Sequence, residues 1–217
     1  MARGTDFGGI HSLRDLHLVQ AKVDIEPAKP KTNFIDVPGA DGSMDFTESP
    51  AGRVVYKTRK ITWTFKLYPG DNWATKYTEV SNAINGITCR ITLDEDSDYY
   101  YQGRVSVDKY ATDSILHTIT VVAICQPYKL RQFETTLTAN LTTSYSDIVL
   151  DNDRKPVVPA ITVSVATTVQ WGSSTFSLSA GTHRVLDIML SAGLNRLQAK
   201  TNAGTGTIKI VYQKGAL

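Results

Sequence analysis

The sequence predicts a mainly β protein with a single helix, divided into two domains near residue 130. Three observations predict it. Apolar and polar residues alternate in several runs, most cleanly in Ile61-Thr62-Trp63-Thr64-Phe65-Lys66-Leu67, and period two is the signature of a strand buried on one face. Only one stretch, Trp73, Tyr77, Val80 and Ile84, spaces its apolar residues by four, three and four, as one stripe on a helix does. From Gln132 onward charged residues thin out while Thr and Ser rise. The predicted architecture is an N-terminal β-barrel or sandwich carrying one helix over about residues 71–85, followed by an antiparallel β-sandwich. The domains are residues 1–130 and 131–217, with the junction in Pro127-Tyr128-Lys129-Leu130-Arg131.

Taken in order, residues 1–13 are Gly-rich and polar and read as an arm or loop. Leu16 to Ile25 reads as a first strand, which Pro27 and Pro30 break into an extended connection. Phe34 to Val37 restarts a short strand into the turn Pro38-Gly39-Ala40-Asp41-Gly42, and Met44 to Glu48 alternates before a second turn at Ser49-Pro50-Ala51-Gly52. Proline and glycine punctuate strands because they supply the fixed or positive φ values of tight turns. After the strand Ile61–Leu67, the segment Pro69-Gly70-Asp71-Asn72 opens the helix, with Asp71 or Asn72 as its cap. Asn85-Gly86 closes it. Ile87 to Leu93 and Tyr99 to Val107 form a hairpin around the acidic turn Asp94-Glu95-Asp96-Ser97-Asp98, and Ile115 to Ile124 is a long strand ended by Pro127. In the second domain Thr135–Leu141, Ala160–Val165 and Thr207–Tyr212 read as strands. The turn signals at 151–153, 172–174, 180–181 and 202–204 separate them.

Composition excludes several function classes. With 41% hydrophobic and 20% charged residues the chain is not disordered over its length. A formal net charge of +2 makes no electrostatic case for nucleic acid or an anionic membrane. No apolar run reaches the about 20 residues a spanning helix needs, and the first six residues are polar, so the expectation is a soluble chain made in the cytosol. Cys89 and Cys125 each sit in an apolar run and read as buried thiols rather than a disulfide framework.

Chemistry finds little purchase. The four histidines, at 11, 17, 117 and 183, show no paired ligand spacing, so no zinc site is expected. No GxSxG motif is present, and Gly204-Thr205-Gly206 leads into a strand rather than a helix. The cluster Asp94–Asp98 is the sharpest calcium candidate, yet it lacks the glycine and distal glutamate of a calcium loop. Its preferred reading is a solvated hairpin tip. Trp171 with Tyr145 or Phe176 could make a sugar-stacking platform, against the commoner reading of sandwich core. The expectation is no enzyme, no metal and no cofactor.

The run Asp36-Val37-Pro38-Gly39-Ala40-Asp41-Gly42, followed by Tyr56-Lys57-Thr58-Arg59-Lys60-Ile61-Thr62-Trp63, resembles the N-terminal half of the distal tail proteins of long-tailed, non-contractile bacteriophages. Ala40 stands where that family commonly has a basic residue. The opening Phe7-Gly8-Gly9-Ile10-His11-Ser12 and the closing Gly215-Ala216-Leu217 are similar to the same pattern, and Pro159-Ala160-Ile161 and Ser191 to Asn195 match its second half. The resemblance implies a structural virion protein at the phage tail tip, made in the host cytoplasm. It implies a homohexameric ring formed by the N-terminal domain, and a galectin-like C-terminal sandwich pointing outward. The implied partners are other copies of the chain, the tail tube protein, the tail-associated lysin or tail fibre protein, and receptor-binding parts. The residues expected at subunit contacts are Pro38, Gly39, Asp41 and Gly42 in the turn, Thr62, Thr64 and Lys66 on the central strand, and Asp94, Asp96, Tyr99 and Tyr101 in the hairpin. Two other readings stand beside it: a carbohydrate-binding module for attachment to the cell surface, and a tail tube-type ring protein of a related injection machine.

Overall fold

A computed structural model of the chain describes residues 3–68, 70–112 and 117–217. Among the described residues the fold is mainly β with one α-helix. The chain forms two compact units, Met1–Lys129 and Leu130–Leu217.

The first unit holds β1 (Thr5–Phe7), β2 (Ile10–His11), β3 (Leu18–Ile25), β4 (Phe34–Asp36), β5 (Ser43–Asp45), β6 (Arg59–Leu67), α1 (Trp73–Ile84), β7 (Thr88–Leu93), β8 (Tyr99–Thr112) and β9 (His117–Cys125). Two short strands therefore occupy the N-terminal stretch that its glycines mark as a loop. Pro69 in the predicted turn, and Ile115 and Leu116 at the start of the predicted last strand, lie outside the described residues. The main sheet runs β2-β1-β7-β8-β9-β6-β3, each neighbour antiparallel. It curls, and its ends approach: the Thr5 hydroxyl donates to Gln20 Oε1 at 2.7 Å, and the Leu18 N–H to the Ser12 carbonyl at 2.8 Å. Among the described residues no ladder joins β2 to β3, so the sheet is open and the barrel alternative is corrected. Backbone bulges at Ala21 and Asp108 accompany the curl.

The alternation in β6 sorts its residues as expected. Ile61, Trp63 and Phe65 are fully buried, while Thr62, Thr64 and Lys66 face outward. Phe7 packs edge-on against Trp63, ring centroids 5.1 Å apart. Leu18, Ile91, Val105, Ile119 and Val121 complete the core with Val80 and Ile84 from α1. Asn72 caps α1 by accepting from the Ala74 and Thr75 N–H groups at 3.0 and 3.1 Å, and Gly86 at φ +84° ends it. The apolar stripe of α1 divides. Val80 and Ile84 enter the core, whereas Trp73 and Tyr77 stay part-exposed and lie against Tyr110, Trp73 stacked at 4.9 Å.

Gly103 sits between Cys89 and Cys125 in one row across β7, β8 and β9. A Cβ there would come within 2.6 Å of Cys125 Sγ and 2.7 Å of the Ile124 carbonyl oxygen, so only glycine fits. The two cysteines are free thiols two strand spacings apart, about 9–10 Å, beyond the reach of a disulfide. Burial pushes the Cys125 thiol up to about 12, with Cys89 nearby adding to the shift, and burial and Asp6 raise Cys89. In the native protein at pH 8, iodoacetamide is expected to label Cys89 slowly and Cys125 only after denaturation, read by intact mass. Because an unfolded Cys125 would deprotonate near its ordinary 9.0 while the folded one holds its proton to about 12, stability falls as pH rises through that window.

β10 (Lys129–Arg131) starts on the last residue of the first unit and leads into β11 (Thr135–Leu141), β12 (Ser146–Asn152), β13 (Ala160–Val163), β14 (Thr167–Trp171), β15 (Ser174–Leu178), β16 (Gly181–His183), β17 (Gly193–Thr201), β18 (Gly206–Tyr212) and β19 (Gly215–Ala216) of the second. Two four-stranded antiparallel sheets, β11-β18-β13-β16 and β12-β17-β14-β15, enclose a second core of Leu141, Leu150, Ile161, Val169, Ile188, Leu197, Ile208 and Ile210. Buried Asn195 fastens the loop before β17, accepting from the Ser191 N–H at 2.9 Å and donating to the Ser191 and Gly193 carbonyls. Tyr212 donates its hydroxyl to the Asp151 carbonyl at 2.6 Å.

Candidate assembly surface

Between β3 and β6 the chain leaves the main sheet as a two-stranded ribbon. Pro30 and Tyr56 bridge at its base, the Lys31 N–H donates to the Val55 carbonyl at 2.7 Å, and the Lys57 N–H donates to Lys29 at 2.8 Å. Further out β4 and β5 pair Phe34 with Asp45, Ile35 with Met44 and Asp36 with Ser43. The predicted contact residues Pro38, Gly39, Asp41 and Gly42 make the tip, where Gly39 and Gly42 take φ values of +84° and +76° that favour glycine. All four are exposed.

What sets this ribbon apart is its apolar content. Phe34, Ile35, Val37 and Met44 are 58%, 47%, 39% and 55% exposed. A lone two-stranded hairpin is marginally stable in water, and this one places large apolar side chains outward on both faces. Its acids are concentrated too: Asp36, Asp41, Asp45 and Glu48 fall between Lys31 and Arg53 with no basic residue among them. The Thr47 hydroxyl and N–H hold Asp45 below the usual carboxylate range, the N–H at 2.8 Å. The turn residues drew attention in the sequence. The exposed apolar residues beside them did not, because short apolar–polar alternation reads as a half-buried strand until the absence of a facing layer is seen.

The other expected contact residues fall elsewhere. Thr62, Thr64 and Lys66 share the outward face of β6, but β6 lies between β3 and β9, so its main-chain groups are already paired. These three offer side chains only. The free edge on that side of the sheet belongs to β3.

The acidic hairpin turn holds its own chain together. Asp94 Oδ2 accepts the Gly4 N–H at 2.8 Å, and His11 Nε2 lies 3.2 Å from Asp94 Oδ1. His11 Nδ1 accepts the Leu13 and Arg14 N–H groups at 3.2 Å, which leaves Nε2 as the proton-bearing nitrogen that donates to Asp94. Glu95 pairs with Arg3 at 2.7 Å and Asp96 with Lys129 at 2.6 Å. The segment is a staple for the N-terminal strands rather than a purely solvated tip. Its signal in the sequence was faint: Gly4 is glycine because a Cβ would lie 2.3 Å from the His11 ring. Lys129 Nζ also sits 4.3 Å over the Tyr99 ring. Tyr101 is 5% exposed and belongs to the core, with Arg59 over its ring, so it presents no outer surface. Among the described residues no three His, Cys, Asp or Glu side chains gather as a metal-holding group, and no helix is long and apolar enough to cross a membrane. The sugar platform of Trp171 with Tyr145 or Phe176 does not form. Trp171 and Phe176 pack against the sandwich core, while Tyr145 lies on the outer face with Lys200 Nζ 4.6 Å over its ring.

The architecture has a counterpart among solved structures. Over 98% of this chain and 99% of the other, the fold superposes on SPP1 Dit with a TM-score of 0.67 and 14% sequence identity. The fold is that of SPP1 Dit. That protein is described as a paradigm of the hub adsorption apparatus in phages infecting Gram-positive hosts. No family model matches the chain, and no curated protein matches it. The likeness to SPP1 Dit thus covers both units with little shared sequence.

Proposed function

We propose that the chain is a structural distal tail protein of a phage, which assembles with copies of itself into a closed ring at the tail tip. The observation that carries this reading is the ribbon of residues 29–57, with four exposed large apolar side chains, in a chain folded like SPP1 Dit. Such a ribbon gains its stability by burying those side chains on another molecule. Contact between an arm on one copy and a different surface on the next is head-to-tail, and repeated contacts of that kind close into a ring when the rotation allows. By resemblance the ring has six copies. The first unit forms it, joining the tail tube protein above to the tail-associated lysin or tail fibre protein below. The second unit is a galectin-like sandwich that abuts receptor-binding parts. The role is mechanical, with no catalysis, and places the chain in the virion.

The test is the assembly state of the purified full chain. Annuli in negative stain, with a native mass that is an integer multiple of 23.8 kDa, are the expected result. A lone particle in sedimentation at high concentration, with no annulus in stain, overturns the reading.

A further inference from the structure

The outer face of the sheet β12-β17-β14-β15 carries a recess that the assembly role does not use. It encloses about 270 Å³ and is lined by Asp147, Gln170, Gly172, Arg196 and Gln198. The register explains how they meet. Asp147 lies opposite Gln198, and Gln198 opposite Gln170, so one row crosses three strands. Arg196 stands two residues along β17, beside the turn at Gly172. Gln198 Nε2 donates to Asp147 Oδ1 at 2.8 Å, which fixes two of the five lining residues in place.

From this geometry we infer that the recess binds one neutral sugar residue of a glycan. No apolar side chain lines it, so an apolar ligand gains nothing there. Its groups are a carboxylate that only accepts, a guanidinium that only donates, and two carboxamides that do both. Neighbouring hydroxyls on a sugar ring offer a donor and an acceptor at each position, which is the complement of such a row. The Arg196 guanidinium has no ion pair among the described residues, so its donors are open to a ligand. Asp147 in the same recess disfavours a strongly anionic ligand. On the same face Tyr145, held by Lys200, presents an aromatic ring beside Asp147 for the apolar side of a sugar. The volume lies just below the range of drug-sized pockets. A shallow polar recess of this size binds in the millimolar range, and a ring of copies would multiply it by avidity. The single-site binding is independent of the proposed ring.

The test is saturation-transfer NMR on the full chain with methyl α-glucopyranoside, methyl β-galactopyranoside and N-acetylglucosamine as probes. At least one is expected to show transfer. Arg196→Ala and Gln198→Ala should each weaken it roughly tenfold, as loss of a charge-assisted or pre-oriented hydrogen bond does. Thr162→Ala, on the opposite sheet, should leave it unchanged. Thermal melts of all variants check that the fold is intact. No transfer from any of the three sugars, or transfer that survives the double variant R196A/Q198A, overturns the inference whether or not the chain forms rings.

Discussion

Replacing Trp63 with alanine is expected to destabilise the first unit by about 4 kcal/mol, the usual cost of emptying a large buried aromatic site. Trp63 is fully buried, lies on an interior strand between β3 and β9, and meets Phe7 edge-on at 5.1 Å, while Phe7 also meets Phe65 at 6.3 Å. The cavity would open in the first core, beside Phe7 of β1. In a thermal melt the transition of this unit should fall by roughly 15 °C. Trp63→Phe should behave quite differently. The indole Nε1 of Trp63 is buried without a hydrogen-bond partner among the described residues, and an unsatisfied buried donor costs about 1–3 kcal/mol. Phenylalanine removes that donor while keeping an aromatic ring against Phe7, so its lost volume is offset and the net change should stay within about 1 kcal/mol. A Trp63→Phe variant as unstable as Trp63→Ala would show that the indole ring's full volume, rather than apolar burial with an orphan donor, sets the energetics of this core.

Ring assembly, in contrast, should be lost on changing three residues that leave the fold alone. In the variant Phe34→Ser, Ile35→Ser, Met44→Ser, the replaced side chains are about half exposed and belong to neither core. The melting temperature should therefore move little. Burying the remaining half of each side chain at a contact is worth about 1 kcal/mol, so each contact loses roughly 3 kcal/mol, a factor above one hundred in its equilibrium constant. Sedimentation and negative stain are expected to find folded single chains in place of annuli. Rings of normal size from this variant would remove the ribbon from the contact and return attention to the free edge of β3.

The strands and the helix were legible because local periodicity reports which face of an element is buried. β6 shows this best: its odd residues entered the core and its even residues faced out, as alternation requires. The same logic found α1, since Val80 and Ile84 lie on one stripe. It failed at the front of that stripe, where Trp73 and Tyr77 rest on Tyr110 of a strand distant in sequence. It failed again at residues 5–11, whose strands are too short to show a period and are held by ladder bonds to β7 and by the Asp94 staple.

The predicted contact residues divided for a similar reason. The turn at Pro38–Gly42 announces itself through glycines that need positive φ, and the structure places it at an exposed tip. Tyr101 looked equivalent to Tyr99 in the sequence, and residues two apart on a strand do share a face, yet Tyr101 lies in the core opposite Ile91 of β7 while Tyr99, at the start of β8 beside Lys129, stays part-exposed. The saccharide recess left no local trace at all. Asp147, Gln170 and Gln198 are scattered over some fifty residues of sequence and meet only through strand register.

By itself, then, the sequence determined the fold class, the single helix and the turn chemistry, since these depend on neighbours within a few residues. Tertiary structure alone decided that the main sheet stays open, that β6 is interior, that the acidic turn is a staple, and that the ribbon stands uncovered. Each of those depends on which distant strand supplies the next layer or the next ladder, and a pattern of alternating residues is the same whether or not anything faces it.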